Sequence, residues 1–151
     1  MNKVILFLCS ILTLNYTKAI ANQPLQQNNF KTFIEYCQQK STLPQETKDT
    51  VEVLLEKAGT QDCQQANRTL SSLTELRLLT KQISDLKPLS TFTNLTNLDL
   101  WGNKISDVKP LANLTDLTSL NIGGNQISDV TPLAGLTNLT NLDLGGNQIS
   151  D

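Results

Sequence analysis

The sequence contains no histidine, and this absence limits the chemistry open to it. Histidine is the most frequent general base of enzymes and a frequent zinc ligand. Only three cysteines are present, Cys9, Cys37 and Cys63, and many of the acidic residues recur at a regular spacing. No nucleophile, base or metal-ligand set can be assembled from these residues. We therefore expect no catalysis, no cofactor and no metal site.

Basic residues and aromatic residues are also scarce. The chain has 12 basic against 14 acidic residues, and aromatics make up 5% of it. Nucleic-acid binders carry a basic patch or a Lys/Arg stripe interleaved with aromatics, and no such feature is present. We expect no nucleic-acid partner. The only long apolar run is at the amino terminus, so we expect no membrane span once it is removed.

The amino terminus has the features of a signal peptide. A short basic start is followed by an apolar run to Leu14 and then by the small-residue triplet Ala19-Ile20-Ala21. The run is shorter than the roughly 20 residues needed to span a bilayer. We predict a signal peptide over residues 1–21 and a mature chain that is secreted, periplasmic or at the cell surface. An uncleaved anchor or a buried first helix is the alternative.

Cleavage would leave Cys37 and Cys63 as the only cysteines. An even pair in an oxidising compartment favours a disulfide. The alternative is two unpaired buried thiols.

A 22-residue period organises the second half of the chain. The positions that recur 22 residues later are Leu95, Leu98, Leu100, Asn103, Ile105, Val108, Pro110 and Leu111. The spacing Leu-x-x-Leu-x-Leu-x-x-Asn-x-Ile is the signature of leucine-rich repeats. We predict about three and a half such repeats over residues 70–151, the last one incomplete.

Strand alternation assigns each side chain of the repeat to a face. Leu98 and Leu100 point inward, while Asn97, Asp99 and Trp101 point outward. One coil cannot bury its leucines alone, so neighbouring coils stack and their strands pair in parallel. The predicted fold is an α/β leucine-rich-repeat solenoid with a parallel concave β-sheet.

Two sets of polar residues recur once per coil. They are Asn103, Asn125 and Asn147, and Asp85, Asp107, Asp129 and Asp151. We predict that the asparagines satisfy buried backbone groups at the turn and that the aspartates cap the turn before the Pro-Leu step. A calcium row is the alternative for the aspartates, but the dense ligand loop of a calcium site is absent.

Residues 22–69 lack the repeat and carry three apolar stripes at helical spacing. The stripes are Phe30, Phe33, Ile34 and Cys37; Val51, Leu54, Leu55 and Ala58; and Cys63, Ala66 and Leu70. We predict helices starting after Asn28 or Asn29, between Pro44 and Gly59, and at Asp62. Because terminal coils must be covered, we predict a small helical N-terminal cap stapled by the disulfide. An independent helical binding module is the alternative.

The strings LTNLDLWGNKISDVKPLANL, LTSLNIGGNQISDVTPLAGL and LTNLDLGGNQISD resemble the 22-residue repeats of the internalin family of bacterial surface proteins. The resemblance implies recognition of a protein, or of a glycan, on the concave sheet. The concave positions are Glu75, Arg77, Leu79, Asn97, Asp99, Trp101, Ser119, Asn121, Gly123, Asn141, Asp143 and Gly145. Trp101 is the expected anchor; the alternative is a ring that only covers neighbouring strands or Leu79.

The sequence stops at Asp151, before the Val-x-Pro-Leu step of its last coil. Two further expectations follow. The chain is the N-terminal fragment of a longer surface protein, or it self-associates through the open coil of residues 139–151. The concave face has about a dozen outward residues, fewer than the roughly 20 to 30 of a standard interface, which favours a longer parent or a weak interaction.

Overall fold

Four short parallel strands form the sheet in residues 31–150, the part of the chain that the computed structural model describes. They are β1 (Glu75–Arg77), β2 (Asn97–Asp99), β3 (Ser119–Asn121) and β4 (Asn141–Asp143). They pair in the order β1-β2-β3-β4, and each residue lies opposite its repeat equivalent, as Leu76 does opposite Leu98. This confirms the predicted α/β leucine-rich-repeat solenoid. The predicted signal peptide lies outside the described residues.

The repeated leucines form one continuous interior. The middle residues of the first three strands, Leu76, Leu98 and Leu120, are at most 2% exposed. Full burial of such a side chain stabilises the fold by about 2 kcal/mol. Leu142, the middle residue of β4, is 45% exposed because no strand of the described residues covers it. Each coil therefore depends on a neighbour to exclude water from its leucines.

Short 3-10 turns carry the chain back from the sheet, over Lys87–Leu89, Lys109–Leu111 and Thr131–Gly135. An aspartate precedes each turn by two residues. Asp85, Asp107 and Asp129 each accept a backbone hydrogen bond at 2.9 Å from the first residue of the turn. Hydrogen bonds from Thr131 lower the pKa of Asp129 below its ordinary value. These aspartates cap the turn, as predicted from their spacing.

Of the recurring asparagines, Asn103 and Asn125 are buried and Asn147 is partly buried, and the side-chain amide of each donates and accepts hydrogen bonds. Asn103 is 6% exposed, and its Oδ1 accepts the backbone N–H groups of Lys81 and Ile83 at 3.0 Å. Its Nδ2 donates to the carbonyl oxygens of Leu78 and Leu100 at 2.8 Å. One amide therefore satisfies backbone groups of two successive coils. The structural role predicted for these asparagines is what the contacts show.

Helix α1 (Phe33–Gln38) begins later than predicted. Its N-cap is Thr32, whose side chain accepts the N–H of Glu35, while Glu35 accepts the N–H of Thr32 in return. The start predicted after Asn28 or Asn29 is therefore wrong, because this reciprocal capping box fixes the first turn. Hydrogen bonds from the backbone of Lys31 and Thr32 hold the pKa of Glu35 below its ordinary value. Phe30, Asn28 and Asn29 themselves lie outside the described residues.

The predicted limits of the second helix and the predicted start of the third are confirmed. Helix α2 (Gln45–Ala58) follows Pro44 and ends at Gly59, which adopts a φ of 70°. Helix α3 (Cys63–Ser71) is capped by Asp62, whose side chain accepts the N–H of Gln65. Gly59 takes the left-handed conformation that commonly ends a helix.

A disulfide joins Cys37 at the end of α1 to Cys63 at the start of α3, with 5.7 Å between their Cα atoms. It closes a loop across a sequence separation of 26 residues. Constraining a loop of this size stabilises a fold by about 3 kcal/mol in the loop-entropy estimate. The bridge predicted from the pair of cysteines is present.

Helices α1 and α2 pack directly on the first coil, and α3 packs against both of them. The rings of Phe33 and Phe92 lie 5.5 Å apart between their centroids. The hydroxyl of Thr50 donates to the carbonyl oxygen of Asp85 at 2.7 Å, and the hydroxyl of Thr47 donates to the Asp85 carboxylate. Asp85 therefore caps the turn that follows it and also accepts hydrogen bonds from Thr47 and Thr50 of α2. The helical segment covers the leucines of the first coil, as the cap prediction requires.

The first coil makes its turn differently from the later ones. Lys81 replaces the buried asparagine, and its ammonium contacts the Glu56 carboxylate on α2 at 3.1 and 3.3 Å. Thr80 and Gln82 adopt φ values of 53° and 62°, whereas glycine occupies the position equivalent to Thr80 in each later coil. A β-branched residue is strained in this region of backbone space.

We predict that Thr80→Gly raises the free energy of unfolding by about 1 kcal/mol, because glycine adopts a positive φ without strain. Chemical denaturation measures this change. Thr115→Gly is the matched control: Thr115 is exposed and has no positive φ, so glycine there lowers stability. If Thr80→Gly is destabilising by as much as the control, Thr80 is not strained.

Candidate functional site

The outward side chains of the four strands form three rows across one concave surface. The rows are Glu75, Asn97, Ser119 and Asn141; Arg77, Asp99, Asn121 and Asp143; and Leu79, Trp101, Gly123 and Gly145. The structure thus brings together every concave position expected from the sequence. Apart from Gly123, all of them keep some exposed surface.

The first two rows enclose a shallow groove of about 220 Å³ over β1–β3. Its polar lining consists of Glu75, Arg77, Asn97, Asp99, Ser119 and Asn121. Charged groups of both signs, amides and a hydroxyl therefore face one depression. Such a surface offers donors and acceptors for directional hydrogen bonds with a ligand.

The middle row also shapes the backbone. The side chains of Asp99, Asn121 and Asp143 each accept the N–H of the residue two positions later, at 3.2, 3.1 and 2.9 Å. This contact closes the turn at the ends of β2, β3 and β4. Each side chain uses one oxygen in this way. The sequence-based assignment of these residues to binding alone therefore omitted a second, structural contact.

Trp101 lies across the next coil while remaining half exposed. Its Cδ1 is 3.2 Å from the point where a Cβ on Gly123 would stand, and its Cε2 is 3.6 Å from the same point on Gly124. The side chain is nevertheless 46% exposed. The ring thus covers a neighbouring strand end and also presents apolar surface to solvent. Leu79, its neighbour on β1's side, is 40% exposed.

The packing of the Trp101 indole against Gly123 and Gly124 could not be predicted from strand alternation. Alternation assigned Gly123 to the concave surface, yet Gly123 is buried beneath Trp101 and Asp143. Its signal in the sequence is the replacement of Trp101-Gly102 by Gly123-Gly124 in the following coil. A Cβ at position 123 would stand 3.2 Å from Trp101 Cδ1, which is closer than an ordinary van der Waals contact. We call Gly123 and Gly124 the glycine shelf.

The described part of the chain contains no group of three or more metal-ligating side chains close enough to hold an ion. Among residues 31–150, no helix is long and apolar enough to cross a membrane.

A family model described as leucine-rich repeats in two copies matches three overlapping segments, residues 71–113, 93–135 and 115–151. Together these segments cover more than half of the chain. The chain belongs to the leucine-rich-repeat family. The matched model describes a repeat and indicates no catalytic family. No curated protein matches the chain at a significant level.

Solved structures of leucine-rich-repeat proteins are similar to this chain. An internalin of Listeria monocytogenes, InlF, is 34% identical over 68% of this chain and 31% of its own, with a TM-score of 0.61. The functional domain of InlJ from the same organism, which includes a cysteine ladder, is 29% identical over 55% of this chain and 18% of its own, with a TM-score of 0.51. A leucine-rich-repeat protein of Leptospira interrogans is 29% identical over 54% of this chain and 22% of its own, also with a TM-score of 0.51.

The chain therefore spans less than a third of the length of each of these proteins. Residues 70–151, which contain its repeats, have no cysteine.

The glycine shelf can be tested with Gly123→Ala. The added Cβ would stand 3.2 Å from Trp101 Cδ1 and 3.1 Å from the Gly145 carbonyl oxygen, so the ring must move. We predict a loss of about 1 kcal/mol in stability together with a red shift in the emission of Trp101, the only tryptophan in the chain.

Gly135→Ala serves as the control, because a Cβ there meets nothing within 4 Å and the φ is not positive. Unchanged emission in Gly123→Ala would show that the indole does not rest on the shelf.

Proposed function

We propose that this chain is a non-catalytic, secreted or surface-exposed binding module that recognises a protein through its concave sheet, with Trp101 as the anchor. The observation that carries the proposal is the position of the indole, held on the glycine shelf and still 46% exposed. A large aromatic ring fixed in this way loses little conformational freedom on binding, which is typical of an interface anchor.

The groups around the ring support recognition rather than packing. Glu75, Arg77 and Asn97 are exposed and line the groove beside it. The core uses the inward leucines of each strand and does not need the side chains of Glu75, Arg77 and Asn97. Protein binding is the usual role of a curved repeat surface of this kind.

Export to an oxidising compartment is part of the proposal. The predicted signal peptide and the Cys37–Cys63 disulfide both support it, because disulfides persist in secreted and surface proteins and are rare in the cytosol. Self-association through residues 139–151 stays a prediction. Leu142 and Ile149, which are 45% and 41% exposed, are the apolar groups available for it.

The test is a binding screen of the mature chain against arrays of extracellular proteins and of glycans. Every hit is then measured against Trp101→Ala and Lys109→Ala. Lys109 is exposed on the return turn, away from the sheet, and makes the matched control. We expect a protein hit whose Kd rises tenfold or more, about 1.4 kcal/mol, in Trp101→Ala and less than twofold in Lys109→Ala.

Stability separates loss of binding from loss of folding. Trp101→Ala should lower the free energy of unfolding by no more than about 1.5 kcal/mol, since half of the ring is already in solvent. A hit that is sensitive to Lys109→Ala but not to Trp101→Ala would place recognition elsewhere. Hits confined to the glycan array would replace the protein ligand with a sugar.

A further inference from the structure

The two aspartates beside Trp101 carry charges that the fold does not require. Asp99 and Asp143 accept the N–H of the residue two positions later, and Asn121 makes the same contact at the equivalent position of β3. A neutral amide oxygen therefore suffices to close this turn. The turn does not need the negative charges of Asp99 and Asp143.

Neither charge is neutralised inside the protein. In residues 31–150, the salt bridges at 4.0 Å or less involve neither Asp99 nor Asp143. Arg77 lies opposite Asp99 in the sheet without forming one with it. The middle row thus begins with the positively charged Arg77 on β1. It ends with Asp143 on β4, whose carboxylate forms no salt bridge within residues 31–150. The half of the concave face around Trp101 is acidic.

Asp143 lies close to the edge of the indole. Trp101 Cδ1 and Asp143 Oδ1 stand 3.2 and 3.3 Å from the same point, the Cβ position of Gly123. The two atoms are therefore no more than 6.5 Å apart. An aromatic face attracts a cation within about 6 Å of the ring centre, and an adjacent carboxylate adds a counter-charge for the same group. A cation held on the ring can therefore have the Asp143 carboxylate as a nearby counter-charge.

From this geometry we infer that the Trp101 site receives a basic side chain, lysine or arginine, from a positively charged segment of the partner protein. The inference rests on the proposed function and specifies the chemistry of its ligand. The cation lies over the exposed face of the indole, with Asp143 and Asp99 as its counter-charges. Arg77, at the other end of the row, repels the same segment and so orients it along the sheet.

Trp101 is the only tryptophan, so its fluorescence reports the site directly. The probe is octa-arginine, and its matched control is octa-citrulline, in which a neutral urea of the same shape replaces each guanidinium. Both peptides can stack on the indole, but only the first carries charge. We expect octa-arginine to change the Trp101 emission saturably and octa-citrulline to leave it unchanged at the same concentrations.

Three charge-removing variants then locate the binding. Asp143→Asn and Asp99→Asn keep the turn contact, as Asn121 does, and each should raise the Kd for octa-arginine about threefold or more. Asp116→Asn removes the same charge from an exposed residue outside the strands and should raise it less than twofold. Equal unfolding midpoints of the three variants show that folding is unaffected.

Several results would overturn the inference. One is equal binding of octa-citrulline, which would assign the site to neutral stacking. A second is an equal effect of all three variants on the Kd for octa-arginine, which would indicate diffuse electrostatic attraction. A third is an unchanged Trp101 emission in the presence of octa-arginine. A protein partner that needs Trp101 but contacts it without a basic residue would also refute it. In that case the proposed function would stand and only the ligand chemistry would fall.

Discussion

The asparagine amide at the turn of each coil after the first is the interaction on which the rest of this structure depends. Leucine burial stabilises many arrangements of stacked chain, but a sharp turn into an apolar interior leaves backbone N–H and C=O groups without water. Asn125 accepts the N–H of Ile105 and donates to the carbonyl oxygens of Leu100 and Ile122. The same amide therefore closes its own turn and binds the preceding coil. Stacking in fixed register follows from this double contact.

That arrangement keeps the outward face of each strand out of the leucine core. Inward positions supply leucines, and the buried asparagine satisfies the turn. From β2 onward the middle row of the concave face shares in folding and needs merely an oxygen acceptor, since Asp99 and Asn121 make the same contact. The third row shares in folding through the buried Gly123. The glycine shelf adds a rigid aromatic platform at the third row. Function can therefore reside in the charge and shape of outward side chains without disturbing the core, which is the usual logic of repeat proteins.

Much of the fold could be predicted from the sequence because the period repeats the same local pattern. The 22-residue period predicted the strands, their parallel pairing and the roles of the asparagines and capping aspartates. The limits of α2 followed from Pro44 and Gly59, which act locally. The start of α1 was missed, because Asn28, Asn29 and Thr32 are all plausible caps and the reciprocal contact with Glu35 decides among them. The contacts of Lys81 with Glu56 and of Trp101 with the glycine shelf join residues distant in sequence, which no local pattern specifies.

The most direct test of this account is the stability of Asn125→Ala, compared with that of Asn113→Ala at an exposed loop position. Removing the buried amide leaves the Ile105 N–H and the carbonyl oxygens of Leu100 and Ile122 without their partner. The account predicts a loss of about 3 kcal/mol for Asn125→Ala, measured by chemical denaturation, and a change within about 0.5 kcal/mol for Asn113→Ala. Equal, small changes in both variants would contradict it, because the coils would then hold their register through leucine packing alone.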